Sequence, residues 1–174
     1  MTTDVRVHLT FVFEESDVPA IAKARHRWDP TMASGVPPHV SLVYPEEYDD
    51  LDLLVERAAE VAGAIGAFSM RCEAIETHHY GARAWVGVSV SDPSGSWHAL
   101  RHQLLVPPFE PLAKSPHITI VHPRTSDQGK AASDELSGMA VASELLFRSF
   151  GQTATDPLTG MVVQQCFDLI GVPR

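Results

Sequence analysis

Cysteine is scarce. Cys72 and Cys166 are the only two, far apart and without CxxC spacing, which fits a cytoplasmic chain with free thiols. Long apolar runs are lacking too: none approaches the ~20 residues that a membrane helix requires, so no membrane partner is expected. The opening "MTTDVRVHLTFVFEE" places Asp4 ahead of its apolar run and acidic residues after it, an order unlike a secretory signal. Basic residues are few, with 13 Lys and Arg against 22 Asp and Glu and a net charge of −9. A protein that grips long nucleic acid needs a basic face, so that partner class is disfavoured. A small phosphodiester, or the tip of an RNA strand held in a local pocket, is not. What is present is ordinary globular composition: 174 residues, 44% hydrophobic and 20% charged. One domain spanning residues 1–174 is expected, as a monomer.

Period-two alternation over 5–13 sets Val5, Val7, Leu9, Phe11 and Phe13 against Arg6, His8, Thr10 and Val12, the pattern of a half-buried strand. A helix is expected over 16–30, with Asp17 as N-cap and Pro30 as stop. The connector "MASGVPP" then leads into a strand at "HVSLVYP". A long helix follows "EEYDD", whose acidic residues suit the positive end of the helix dipole. Strands at 67–77 and 82–92 flank "HHYG", a hairpin turn. Beyond them come a helix over 95–105, a connector over 106–116, a strand at "HITIVHP" and a helix near 129–141. "ELLFRSFGQT" and "GMVVQQCFDLIG" read as a closing hairpin around "TDPLTG".

That order contains a repeat. Strand, helix, Pro-rich connector and His-containing strand occur at 5–45 and again at 82–123, the two histidine motifs standing 78 residues apart. "PHVSLVYP" and "PHITIVHP" agree at four of eight positions, and three more are conservative exchanges. The expected fold class is α+β: a bilobal pseudo-twofold repeat, two antiparallel sheets facing across a cleft with helices on the outside.

In a strand, residues i and i+2 face the same way. His39 therefore shares a face with Ser41, and His117 with Thr119, while Val40, Leu42, Ile118 and Ile120 enter the apolar layer. If the two polar faces oppose each other, two imidazoles and two hydroxyls surround one volume. Two histidines with pKa near ~6.5 can hold opposite protonation states at neutral pH. Cleaving a phosphodiester needs such a pair, a base for the attacking hydroxyl and an acid for the departing oxygen. The Ser and Thr hydroxyls can donate to the non-bridging oxygens, and no metal or cofactor is required.

Two H-[hydrophobic]-[S/T]-[hydrophobic] motifs, "HVSL" at 39–42 and "HITI" at 117–120, resemble the pair that marks the 2H phosphoesterase superfamily. RNA 2′,3′-cyclic phosphodiesterases, also called 2′-5′ RNA ligases, belong to it. The strand–helix order is similar along most of the chain. The resemblance implies a metal-independent phosphoesterase acting on 2′,3′-cyclic phosphate or 2′-5′ linkages in nucleotides or RNA ends. His39 and His117 would be its acid–base pair, and Ser41 and Thr119 its phosphate ligands. Family members often carry Arg soon after the second motif and Phe near the end of the first. Here Val121 and His122 follow, the nearest arginine is Arg124, and Tyr44 stands in place of Phe. Tyr44, His122 and Arg124 are candidate substrate contacts, or packing groups.

Other residues carry weaker signals. His8-Leu9-Thr10 also spells HxT, without the proline frame and with its repeat partner near Val86, and is expected at the cleft edge as a further candidate contact. His98 and His102 lie four apart on a helix, but no HExxH pattern or third ligand accompanies them. Trp28, Trp85 and Trp97 read as packing groups, Arg83 as a surface arginine, and His78 and His79 as solvated turn residues. The competing functions are a non-catalytic module binding a nucleotide or RNA end and, last, a metal-dependent hydrolase using His98 and His102.

Overall fold

The two histidine segments form short strands of equal length and identical burial pattern, in which His and Ser or Thr are half-buried while the alternate residues are fully enclosed. The computed structural model describes residues 5–156 and 160–171. Its elements run β1 (Arg6–Val12), α1 (Pro19–Trp28), α2 (Pro30–Gly35), β2 (His39–Val43), α3 (Leu51–Ala64), β3 (Phe68–Tyr80), β4 (Arg83–Ser91), α4 (Ser96–Leu104), β5 (His117–Val121), α5 (Gly129–Leu136), β6 (Ser143–Phe147), β7 (Ser149–Asp156) and β8 (Gly160–Asp168). Two antiparallel four-stranded sheets result, ordered β2-β1-β7-β8 and β5-β4-β3-β6. The chain is α+β and bilobal, as its repeat implied.

The pseudo-twofold relation extends to the hydrogen-bond register. His39 faces Val12 and Ser41 faces Thr10 across β1–β2; His117 faces Ser89 and Thr119 faces Gly87 across β4–β5. Each ladder slips once, between Leu9 and Thr10 and between Val86 and Gly87. The first strands are therefore related by 77 residues rather than 78. His8 corresponds to Trp85, not to Val86 as the motif spacing had suggested.

The histidine strands cannot slide. Val40, Leu42, Ile118 and Ile120 are each 0% exposed. A one-residue slip would exchange them for the polar set, losing about 1.5–3 kcal/mol per side chain. These residues join Leu9, Phe11, Val86 and Val88 in one continuous apolar cluster spanning both sheets. Phe147, from the second sheet, sits 4.6 Å from Phe11 of the first and stacks on Phe68 at 5.3 Å. Each lobe's helix reaches across: α1 packs against β5, and α4 against β2.

Several local expectations change. Asp17 does not cap α1; Val18 occupies that position, and the Asp17 carboxylate accepts from the Glu14 amide in a preceding 3₁₀ turn. Pro30 does not end the helical stretch. It opens α2, because proline lacks only an N–H that a first turn leaves unpaired, and Asp29 caps that helix through the Met32 amide at 3.0 Å. "ELLFRSFGQT" is not one hairpin strand: β6 pairs with β3 in the second sheet, and β7 pairs with β1 and β8 in the first. The crossing is made at Arg148. The turn expected at "TDPLTG" includes residues 157–159, outside the described residues. His78 and His79 lie within β3 instead of the turn.

The acidic run also divides. Asp50 caps α3 through the Leu53 amide, whereas Glu47 is buried. Its carboxylate accepts from Arg101 at 2.5 and 3.0 Å and from the amides of Leu112 and Tyr44 at 2.8 and 2.9 Å. Arg101 also donates to the carbonyls of Leu42 and Leu112. This cluster ties the end of β2 to α4 and to the connector before β5. Removing one partner of a buried, fully bonded pair strands the other charge. Glu47→Ala is expected to lose about 3–5 kcal/mol of stability, read as a lower urea midpoint at an unchanged slope.

Candidate active site

Each histidine is set by the prolines and carbonyls before it. Pro38 and Pro116 have no N–H to offer a ladder, but their carbonyls accept from the Phe13 and Val90 amides of the neighbouring strands, at 2.9 and 3.0 Å. A residue preceding proline is held in extended backbone. The carbonyls of Pro37 and Ser115 accordingly meet the rings two residues on, with Nδ1 of His39 and of His117 each 2.9 Å from its carbonyl. A carbonyl can only accept, so each Nδ1 carries the proton. Nε2 is then the lone-pair nitrogen of both neutral rings.

Both rings line one cavity of about 530 Å³, together with Ser41 and Thr119. His8, Thr10, Tyr44, Trp85, His122, Arg6 and Arg124 share its wall. The sequence-derived candidates Tyr44, His122, Arg124 and His8 are thus all brought to the same space. Tyr44 meets His8 edge to face at 5.9 Å, and Lys114 lies 4.8 Å over the Tyr44 ring. Burial holds the Tyr44 phenol above its ordinary pKa, so it stays protonated and can donate.

Trp85, expected as a packing group, is a wall of the cavity. Its Nε1–H donates to the Thr119 hydroxyl at 3.2 Å, and its ring meets His117 edge to face at 5.1 Å. With one lone pair so occupied, the Thr119 O–H is free to donate elsewhere. A Cβ on Gly87 would collide with the indole, so the glycine two residues on lets the ring lie across the strand. The Trp-x-Gly spacing on one strand face was the available signal.

His122 carries the opposite tautomer. Its Nδ1 accepts the Arg124 amide at 3.1 Å, which leaves the proton on Nε2 as a donor. Its own amide donates to buried Asp29 at 3.0 Å, and the Thr125 hydroxyl donates to the same carboxylate oxygen at 2.5 Å. Asp29, already capping α2, therefore fixes the turn after β5 to the first lobe.

The electrostatics favour neutral rings. Burial is the main cause that lowers His39 to about 4, with Arg25, His8 and His117 adding to it against the Pro37 carbonyl. His8 falls to about 4 through burial and then Arg6. Burial also lowers His117 and His122; the Ser115 carbonyl and Glu76 oppose it at the first, and Asp29 at the second. A cavity lined by hydroxyl, phenol and neutral imidazole donors, with Arg6 and Arg124 on its wall, can hold an anion, whose charge would restore a proton to one ring.

His98 instead bonds Asp92 at 2.9 Å from an exposed helix face. Among the described residues, no three His, Cys, Asp or Glu side chains stand together as metal ligands. Arg83 is exposed and donates to the Pro123 carbonyl at 2.5 Å. No helix among the described residues is long and apolar enough to cross a membrane.

Comparison with known proteins gives a consistent picture. The model of the 2′-5′ RNA ligase superfamily matches residues 13–146. No protein of curated function matches the sequence. The solved structure of TT0787 from Thermus thermophilus superposes with a TM-score of 0.66 at 14% identity, covering 95% of this chain and 98% of that one. E. coli LigT complexed with 3′-AMP gives 0.57 at 15% identity, with the same shares covered. LigT complexed with ATP gives 0.57 at 15%, covering 97% of this chain and 99% of that one. At such identities the likeness is one of fold.

Histidines buried neutral bind fewer protons than in the unfolded chain between their lowered pKa and ~6.5, so stability rises with pH across that window. For His8 and His39 the window runs from about 4 to 6.5. The free energy of unfolding should fall as pH drops from 6.5 towards 4. The slope should be shallower in His39→Asn, measured by urea denaturation at half-unit intervals.

Proposed function

From membership of the 2′-5′ RNA ligase superfamily, to which this chain belongs, we propose that the protein is a metal-independent phosphoesterase. It hydrolyses a 2′,3′-cyclic phosphate, or a 2′-5′ phosphodiester, in a nucleotide or at an RNA end. The observation that carries this reading is the matched pair of Nδ1–carbonyl bonds, which leaves two Nε2 nitrogens for one cavity. That LigT is solved with 3′-AMP and with phosphate supports a small phosphate ester as the ligand class.

The chemistry follows from the proton inventory. One neutral imidazole takes a proton from a water molecule as its oxygen attacks phosphorus. The other, protonated when the anion binds, gives its proton to the departing ribose oxygen as the P–O bond breaks. The product of a cyclic substrate is one phosphomonoester with a free neighbouring hydroxyl. Ser41, Thr119 and the Nε2–H of His122 donate to the non-bridging oxygens, where charge grows in the transition state. The site suits an acidic protein because most of these donors are neutral.

His39→Ala and His117→Ala should each lower kcat on a 2′,3′-cyclic nucleotide by about 10²–10⁴-fold, with full activity persisting in EDTA. Near-normal turnover in either variant removes the proposal, and saturable binding without any product would favour a non-catalytic binding module. The free rings titrate low, so kcat/KM should peak between about pH 4 and 6.5. The optimum of kcat should lie higher, because the bound anion raises both rings. Initial rates across pH 4–9 separate the two profiles.

A further inference from the structure

The pseudo-twofold axis relates not only the motifs but the charges at their ends, and one of them is reversed. Arg6 and Arg83 are the first residues of β1 and β4, 77 apart like the rest of those strands. After the motifs, Pro45-Glu46 corresponds to Pro123-Arg124. In the first lobe Arg6 forms an ion pair with Glu46. In the second lobe the corresponding partner is another arginine.

Arg83 and Arg124 line a single recess of about 300 Å³, with Thr31, Ser126 and Gln128. Asp127 is also on its wall, yet among the described residues neither arginine forms an ion pair. The recess adjoins the histidine cavity, and Thr31, Arg124 and Thr125 belong to both. Arg83 donates to the Pro123 carbonyl and so stands beside Arg124, and guanidinium forks match phosphate oxygens in pairs.

We propose that Arg83 and Arg124 form a second anion site, which takes a further phosphate of the substrate whose reacting phosphodiester lies between His39 and His117. The inference rests on the proposed phosphoesterase reading and narrows its substrate class. The preferred substrate carries the reacting phosphodiester and at least one more phosphate, rather than a cyclic mononucleotide with a 5′-hydroxyl. That second phosphate is either the adjoining linkage of an RNA end or a 5′-phosphate on a single nucleotide.

Binding is measured first, by calorimetry with adenosine 3′-phosphate and adenosine 3′,5′-bisphosphate. The bisphosphate should bind the wild-type protein about tenfold more tightly, as one charge-assisted contact predicts. Arg124→Glu, which restores the first lobe's residue, should bring that ratio to about one, and Arg83→Gln should narrow it. Equal affinities in the wild type, or an unchanged ratio in Arg124→Glu, overturn the site. Turnover of a 5′-phosphorylated cyclic mononucleotide, compared with that of a 5′-hydroxyl dinucleotide ending in a cyclic phosphate, then identifies the source of the second phosphate. Hydrolysis without any preference over the simple cyclic nucleotide refutes this inference alone. A bisphosphate preference without hydrolysis of any cyclic substrate refutes the enzymatic reading and leaves the anion site standing.

Discussion

A hydrogen bond made twice, from a ring nitrogen to the carbonyl two residues before it, sets the terms for the rest of the molecule. It fixes which nitrogen of His39 and of His117 holds the proton, in two rings that line one cavity. The proline between carbonyl and ring makes the arrangement inevitable. It holds the preceding residue extended, it has no amide to divert, and its own carbonyl stays in the ladder with Phe13 or Val90. A histidine at the same strand position without that frame would keep a choice of tautomer and rotamer.

Holding two rings correctly is of no use unless the two strands that bear them are fixed relative to each other. The molecule achieves this by crossing its packing. The helix of each unit lies on the histidine strand of the other, and one apolar cluster runs through both sheets. Two buried carboxylates finish the task. Asp29 joins the start of α2 to the turn after β5, and Glu47 joins the end of β2 to α4 and the following connector. Buried charges of this kind do little for net stability compared with apolar replacements. Their effect here is positional, since each accepts from donors on separate segments and so sets those segments in register.

Much of this was legible in the residues themselves. Alternation marked the strands, and the duplicated Pro-His frame marked the pair of units and the residues that share the cavity. What could not be read depended on contacts made across long stretches of chain. Glu47 looks like any acidic residue ahead of a helix until Arg101, 54 positions on, closes over it. The run around Arg148 is apolar enough for a single strand, and only the competing edges of two sheets decide that it serves both. The strand repeat differs from the motif repeat by one residue because the second unit has one more residue between its first strand and its histidine strand, which hid the correspondence of His8 with Trp85. Trp85 reads as core because a tryptophan in an apolar strand most often is, and the clearance that Gly87 supplies appears only in the folded chain.

The repeat supplies equivalent imidazoles, whereas the phosphodiester proposed as substrate has two unlike ends. Polarity has to come from the positions where the units disagree. Against His117 stands Trp85, whose indole directs the Thr119 hydroxyl; at the equivalent place in the first unit stands His8, against Tyr44. Tyr44 corresponds to His122, a phenol donor to an imidazole donor, and Glu46 to Arg124. These exchanges leave the backbone untouched and change only what each wall of the cavity offers. The overall charge of −9 does not oppose them. Dispersed surface carboxylates are screened beyond about 8 Å at physiological ionic strength, while donors inside the cavity act at hydrogen-bond distance in a poorly screened space. The acidic surface therefore leaves the donors inside the cavity available to a small anion.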